Sequence, residues 1–473
     1  MEETLFQTLK KYNKSMLPMH MPGHKRNPSL SGSGGYLEAL CADCDITEIE
    51  GFDNLAEPEG VLLQLKERMA KLWKSDEAYP LVNGSTCGIL AGIYGTVPHG
   101  GKVLMARNCH KSVYNAVQLV NAECVFLQPD REPFAGIYGS MTPAAVEEVL
   151  EHTPDMDLVV VTSPTYEGII SDVEGICKVA HRYGVPVLVD SAHGAHLGFG
   201  GFPKGATECG ADLVVCSLHK TLPCLTQTAV LHRNGTLVSK EALQTAINMF
   251  QSSSPSYLLL ASIEGCVTLL EERAEELSLS WNRILELFYE RIRTLQRLSV
   301  LPEEDCQWFA RDPGKIIIST VGAELTGAEL MERLRNEYRI EAEMAAEQYV
   351  IAMTGMGDTK ESLFRLADAL LEIDQSCGTA EGEKAICRNA PLLRMTIGDA
   401  MRSNSRECKL DEAIGHIAAE HIWAYPPGIP VVIAGEVITE ESVAYLKKKQ
   451  ELGIALHGKN GVCKNPVILR VTE

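Results

Sequence analysis

Four short runs, KVLMA at Lys102–Ala106, DLVVVTS at Asp157–Ser163, VPVLVD at Val185–Asp190 and DLVVCS at Asp212–Ser217, are apolar almost without a break. A strand with one face in water alternates apolar and polar residues, so a run with no polar face must be covered on both sides. Helical patterns intervene at Gly60–Lys74, Gly88–Thr96, Ser112–Leu119, Ala144–Glu151 and Val173–Tyr183. The alternation predicts βαβ units on a mostly parallel sheet between two layers of helix.

A long helical pattern runs from Pro255 to about Leu298, too long for a loop linker. Beyond it KIIIST at Lys315–Thr320, a helix over Ala328–Arg335, a strand around Tyr349–Met353 and a helix over Lys360–Ile373 read as a smaller α/β unit. A turn-rich stretch at Gln375–Glu383 precedes a last segment containing AYPPGIP at Ala424–Pro430. At about 150 residues per domain, 473 residues suggest three units. The expected division is a large domain over residues 1–290, a small α/β domain over 291–380 and a C-terminal domain over 381–473.

The chain carries 43 Lys plus Arg against 63 Asp plus Glu, a net charge of −20. A field of that sign repels phosphate backbones, and no nucleic-acid partner is expected. No basic stretch followed by an apolar one opens the sequence, and no apolar run reaches membrane-spanning length, so a cytoplasmic protein without membrane contact is expected. The 15 Cys are scattered, and the one CxxC pair, Cys41 and Cys44, has neither a second pair nor a flanking His to complete a zinc site.

In open α/β sheets ligands bind beyond the carboxyl ends of the strands. VPVLVD closes on Asp190, and the next strand runs into SLHKT, which sets Lys220 on the same rim. A lysine and a carboxylate so placed are what pyridoxal 5′-phosphate needs, the amine for a Schiff base and the acid for the pyridinium nitrogen. At about 4 Å and an effective dielectric of about 20 such an ion pair gains about 4 kcal/mol gross, about three pKa units. NGSTCG at Asn83–Gly88 precedes a helix, where backbone N–H groups of Gly84, Ser85 and Thr86 and two hydroxyls suit a phosphate. Ser217 and His219, flanking Lys220, are placed to reach the same group.

These pieces stand in a longer series: MPGHK at Met21–Lys25, DITEIEGFDNL at Asp45–Leu55, NGSTCG, RNCHKS at Arg107–Ser112, SPTYEG at Ser163–Gly168, DSAHGAH at Asp190–His196, SLHKTLPCLTQTAVLH at Ser217–His232 and YPPGIPVVIAGE at Tyr425–Glu436. The series resembles the Orn/Lys/Arg decarboxylases over nearly the whole chain, the shorter Gram-positive arginine decarboxylase type most of all. That resemblance implies a fold-type-I, aspartate aminotransferase-like α/β fold and α-decarboxylation of a basic amino acid. Arginine comes first and lysine or ornithine behind it, feeding polyamine metabolism. Lys220 would carry the cofactor, Asp190 its ring nitrogen, His110 would lie over the ring and His193 approach the phenolic oxygen. Ser252, Ser253 and Ser254 would reach a neighbouring subunit's cofactor, so a homodimer or higher homo-oligomer with a shared site is implied. Glu436, His24 and His196 are the substrate candidates, and His193, His196 or Lys220 would return the proton to Cα.

The pattern departs from the family at two places. MPGHK begins at Met21 with no preceding wing domain, so wing-built high oligomers are not expected, and Arg394–Arg406 matches loosely. Because the same Asp and Lys serve aminotransferases and aldolases, fold does not select the reaction. A cofactor-binding protein that acts through a partner is the reading from a different class. The HxxH spacing of His193 and His196 suits a post-strand loop beside a cofactor better than a metal site.

Overall fold

The protein is described from a computed structural model, which covers residues 16–19, 23, 25, 27, 48, 53–129, 136–153, 155–301, 309–380, 392–424, 429–451, 455–459, 461–462 and 468–472. His24, the CxxC pair and residues 425–428 lie outside the described residues.

Seven strands make the main sheet: β1 (Glu77–Leu81), β2 (Lys102–Ala106), β3 (Glu123–Leu127), β4 (Leu158–Thr162), β5 (Val187–Asp190), β6 (Leu213–Ser217) and β7 (Ala229–Arg233). Their order is β1-β7-β6-β5-β4-β2-β3. The β3-β2-β4-β5-β6 stretch is parallel, and β7 runs against both of its neighbours. Every residue of β5 and β6 is buried, which is what a strand with no polar face requires.

Helices cover both faces: α1 (Val61–Leu72), α2 (Gly84–Tyr94), α3 (Lys111–Val120), α4 (Pro143–His152), α5 (Val173–Arg182) and α6 (Lys240–Phe250). Their starts follow from local chemistry. Asp172 accepts from Gly175 N at the head of α5, and Thr142 accepts from Ala145 N ahead of Pro143 in α4. Helix α7 (Tyr257–Arg291) is capped by Ser256 and has 35 residues, about 52 Å at 1.5 Å per residue. It ends short of the expected Leu298, and its buried Trp281, Leu285 and Phe288 bring it to a second sheet.

That sheet centres on β8 (Lys315–Ser319), paired antiparallel with β10 (Tyr349–Met353) and flanked by α8 (Gly327–Tyr338) and α9 (Lys360–Ser376). Between them β9 (Ile340–Ala342) pairs in parallel with Leu17–Met19 of the N-terminal arm. The last segment has its own apolar cluster, which includes Ile422, Val432, Leu446 and Val471. No helix among the described residues is long and apolar enough to cross a membrane.

Candidate active site

Strands β5 and β6 are neighbours in register, Asp190 opposite Val215, so the chain ends of both open on one rim. A one-turn helix, Leu218–Thr221, follows β6 and carries Lys220. Asp190 is 4% exposed, and among the described residues its carboxylate has one hydrogen bond, accepted by Oδ1 from Ala192 N at 3.2 Å. Burial pushes the Asp190 carboxyl up, with the charge of Lys220 acting against it. Burial pushes the Lys220 ammonium down, with Asp190 and Glu343 opposing. The lysine is thereby biased toward the free amine, the form that attacks a carbonyl.

His193 stands over this amine. Its Nε2 is 2.8 Å from Lys220 Nζ, and its Nδ1 is 2.6 Å from Nζ of Lys315, the first residue of β8. Tyr166 from SPTYEG packs edge-on against the ring at 4.8 Å and donates its hydroxyl to Glu343 Oε1 at 2.7 Å. Burial, then Lys220 and Lys315, hold His193 well below its ordinary pKa, so the ring is neutral. Lys315 is 1% exposed, and burial lowers it to about 7 against the pull of Asp312 and Glu343.

The other expected residues fall into three groups. His110 caps α3, its Nδ1 accepting from Ser112 N at 3.2 Å, and burial followed by the charges of Lys220 and Lys111 lowers it to about 4. His219 is buried with Nδ1 2.8 Å from Thr228 O, and burial lowers it to about 4. Ser217 is buried, and its Oγ has no partner among the described residues. Gly84, Ser85 and Thr86 form the first turn of α2, whose cap Asn83 makes no side-chain capping bond. The loop after Lys220 comes back to this turn through Gln227, which donates to Val82 O. Ser252, Ser253 and Ser254 are exposed, and Ser252 N donates to Asn83 Oδ1 at 3.2 Å, beside the same turn.

His196 is placed differently from the expectation. Its Nε2 is 3.1 Å from Asp312 Oδ1, its ring packs against both Phe202 and Trp281, which also touch each other, and its side chain is 0% exposed, so in this chain a substrate cannot touch it. Glu436 is 1% exposed and faces Arg107, whose guanidinium it holds charged together with Tyr114 against full burial. The C-terminal segment thus packs on the loop that leads to His110.

The N-terminal arm closes the floor. Gly23 N donates to His219 O at 2.6 Å, and a Cβ on Gly23 would stand 2.3 Å from Thr221 C, so only glycine allows this approach beside Lys220. Lys25 Nζ donates to Met353 O at the end of β10, at 3.0 Å.

The donor set fits pyridoxal 5′-phosphate. A buried carboxylate with one backbone donor needs a cationic N–H, the unpaired Ser217 hydroxyl and the side-chain-uncapped first turn of α2 need an anion, and Lys220 supplies the amine. Sequence reasoning missed Lys315, Asp312, Tyr166 and Glu343. One signal was present: Lys315 opens a wholly apolar strand as Asp190 closes one, and a charge fixed to a buried strand needs partners.

The Orn/Lys/Arg decarboxylase major domain matches residues 3–320, and the C-terminal domain of that family matches residues 384–458. The chain is 31% identical to the arginine decarboxylase of Bacillus subtilis (strain 168) over 467 residues, 97% of this chain and 95% of that one. It is 32% identical to the arginine decarboxylase of Halalkalibacterium halodurans over 448 residues, 93% of this chain and 91% of that one. The lysine decarboxylase of Francisella novicida superposes with a TM-score of 0.76 at 20% identity, covering 99% of this chain and 83% of that structure, and shares its fold-type-I architecture.

Proposed function

Because the chain belongs to the Orn/Lys/Arg decarboxylase family, we propose that it is a pyridoxal 5′-phosphate-dependent decarboxylase of a basic amino acid, arginine first, with lysine or ornithine behind it. The observation that carries this reading is the cluster of buried Asp190 and His193 with half-buried Lys220 just beyond the ends of adjacent strands. In this reading Asp190 would hold the ring nitrogen, Lys220 the aldehyde carbon, and the turn Gly84–Thr86 with Ser217 and His219 the phosphate. His110 would lie over the ring and His193 beside its phenolic oxygen. Bound there, the cofactor supplies a sink for the electron pair left at Cα when CO2 departs.

The protein's own groups do the rest. Asp190 would pair with a protonated ring nitrogen, a partner that offsets the burial acting on its carboxyl. Lys220 Nζ and His193 Nε2, 2.8 Å apart, are the two atoms able to return a proton to Cα, since His196 is held by Asp312. Burial of this floor keeps water from competing for that carbon. Glu343, whose charge acts on Lys220, is a carboxylate available to a distal cation, whereas Glu436, 1% exposed, acts on Arg107 and is closed off in this chain. The exposed Ser252–Ser254 segment lies beside its own chain's Gly84–Thr86 turn and is open to a partner subunit, as a homodimer with a shared site would need. The C-terminal family match, beginning at residue 384, favours a division near 380, the end of the 35-residue helix at Arg291 favours one near 290, and the free cysteines of the described residues favour a cytoplasmic location.

The test is the absorption spectrum of the protein with pyridoxal 5′-phosphate, coupled to CO2 release from arginine, lysine, ornithine and neutral amino acids. Release from one basic amino acid, abolished in K220A together with the visible band, is expected. A band with keto-acid consumption and no CO2 would move the reaction to an aminotransferase, and no band would remove the cofactor.

A further inference from the structure

Lys315 has no role in the reading above, yet the fold goes to some length to place it. It enters the site from the second sheet, and Gly168, at φ +91, leaves room for it: a Cβ there would lie 2.7 Å from Lys315 Cβ and Cγ. The charged and titratable groups that act on Lys315 are Asp312, Glu343, Lys220 and Lys25, besides His193 itself.

A neutral imidazole offers one N–H and one lone pair. His193 has a lysine nitrogen on each ring nitrogen, at 2.6 and 2.8 Å, so one lysine donates to the ring and the other accepts from it. An ammonium cannot accept. We infer that Lys315 and Lys220 share a single proton through His193, and that a charged Lys315 holds the ring as its Nε2–H tautomer and Lys220 as the free amine. Lys315 is then a positioning residue for the reactive lysine. The alternative state is reached when Lys315 gives a proton to Nδ1 while Nε2 gives its proton to Lys220, with no net proton gained or lost. The direction in which burial moves all three groups agrees, since a buried site of this kind cannot hold three positive charges.

The inference rests on Lys220 being the reactive amine, and its test needs neither cofactor nor substrate, so it can fail while decarboxylation stands. Full-length protein without cofactor is acetylated with trace acetic anhydride from pH 6 to 10, and Lys220 labelling is read by peptide mass spectrometry. K315M should raise the pH of half-reactivity of Lys220 by about one unit, making labelling at pH 7 about tenfold slower. K315R, a cation that cannot give up its proton, should keep Lys220 a free amine down to a lower pH than in the native protein, and K315Q replaces K315M should the latter not fold by circular dichroism. In an H193F background K315M should have no further effect. An unmoved Lys220 profile in K315M, or an equal shift with and without the His193 ring, would overturn the relay.

Discussion

His196 Nε2 lies 3.1 Å from Asp312 Oδ1, with side chains 0% and 1% exposed, and this contact bolts the segment after Asp190 to the loop before Lys315. Burial raises the Asp312 carboxyl, but His196, Lys315 and the Gly314 amide together carry it below its ordinary value. A depressed carboxyl adds stability above the unfolded pKa of about 3.9 and loses it as pH falls through the folded one. Removing one partner of a buried pair leaves the other uncompensated, so D312A should lower unfolding free energy by about 3–5 kcal/mol. Urea unfolding at pH 7 with an unchanged m-value checks it; a loss under 1 kcal/mol would mean that the pair contributes little.

Gly168 should not tolerate a side chain. With φ +91 and Lys315 in the way, G168A meets both backbone strain and overpacking, together about 1–3 kcal/mol. Because the clash is with Lys315, the acetylation profile of Lys220 should move in the same direction as in K315M. A native melting curve for G168A would show that the Lys315 stem yields freely.

Acid should destabilise the protein early. His110 and His219 are lowered to about 4, and His232 and His421 to about 3, burial being the first cause in each. The unfolded chain binds these protons near pH 6.5 and the folded protein refuses them, so stability is complete above that pH and falls between about 6.5 and 4. Each group contributes at most about 1.4 kcal/mol per pH unit to the slope. H232F keeps a ring beside Trp73 and should make the slope shallower by one such increment. Urea melts at pH 5, 6 and 7 read this directly, and an unchanged slope would mean that His232 protonates in the folded state.

Ser217 separates binding from folding. Its buried hydroxyl has no partner among the described residues, so S217A removes a desolvated group that costs about 1–3 kcal/mol when unpaired. The protein without cofactor should be as stable as the parent or more so, while pyridoxal 5′-phosphate should bind about tenfold more weakly, one hydrogen bond to an anion. Equilibrium titration of the bound-cofactor absorbance, set beside thermal melts, distinguishes this from a structural serine, whose loss would lower the melt and spare the affinity.

Much of the site was legible because its main residues terminate continuous apolar runs. Asp190 closes VPVLVD and Lys220 follows DLVVCS, and a buried strand can only release charged groups at its ends. Strands β1, β3 and β7 were not legible: EAYPL, ECVFL and AVLHR carry charged ends, and β3 lies at the sheet edge, half-buried, where no continuous apolar face is demanded. The glycine of MPGHK was visible as a motif, but only its approach to the Thr221 backbone explains it.

The sequence by itself determined the α/β layering, the rim on which Asp190 and Lys220 stand and the helix-start turn at Gly84–Thr86, because each follows from burial or from helix-start chemistry within a few residues. The partners of the two histidines in DSAHGAH were decided by tertiary structure alone. His193 took Lys220 and Lys315, and His196 took Asp312, residues up to 122 positions away on another sheet. Two residues of sequence separate those rings, and nothing local distinguishes them. What does is the packing of β8 against the main sheet, which sets a buried amine against one ring and a buried carboxylate against the other.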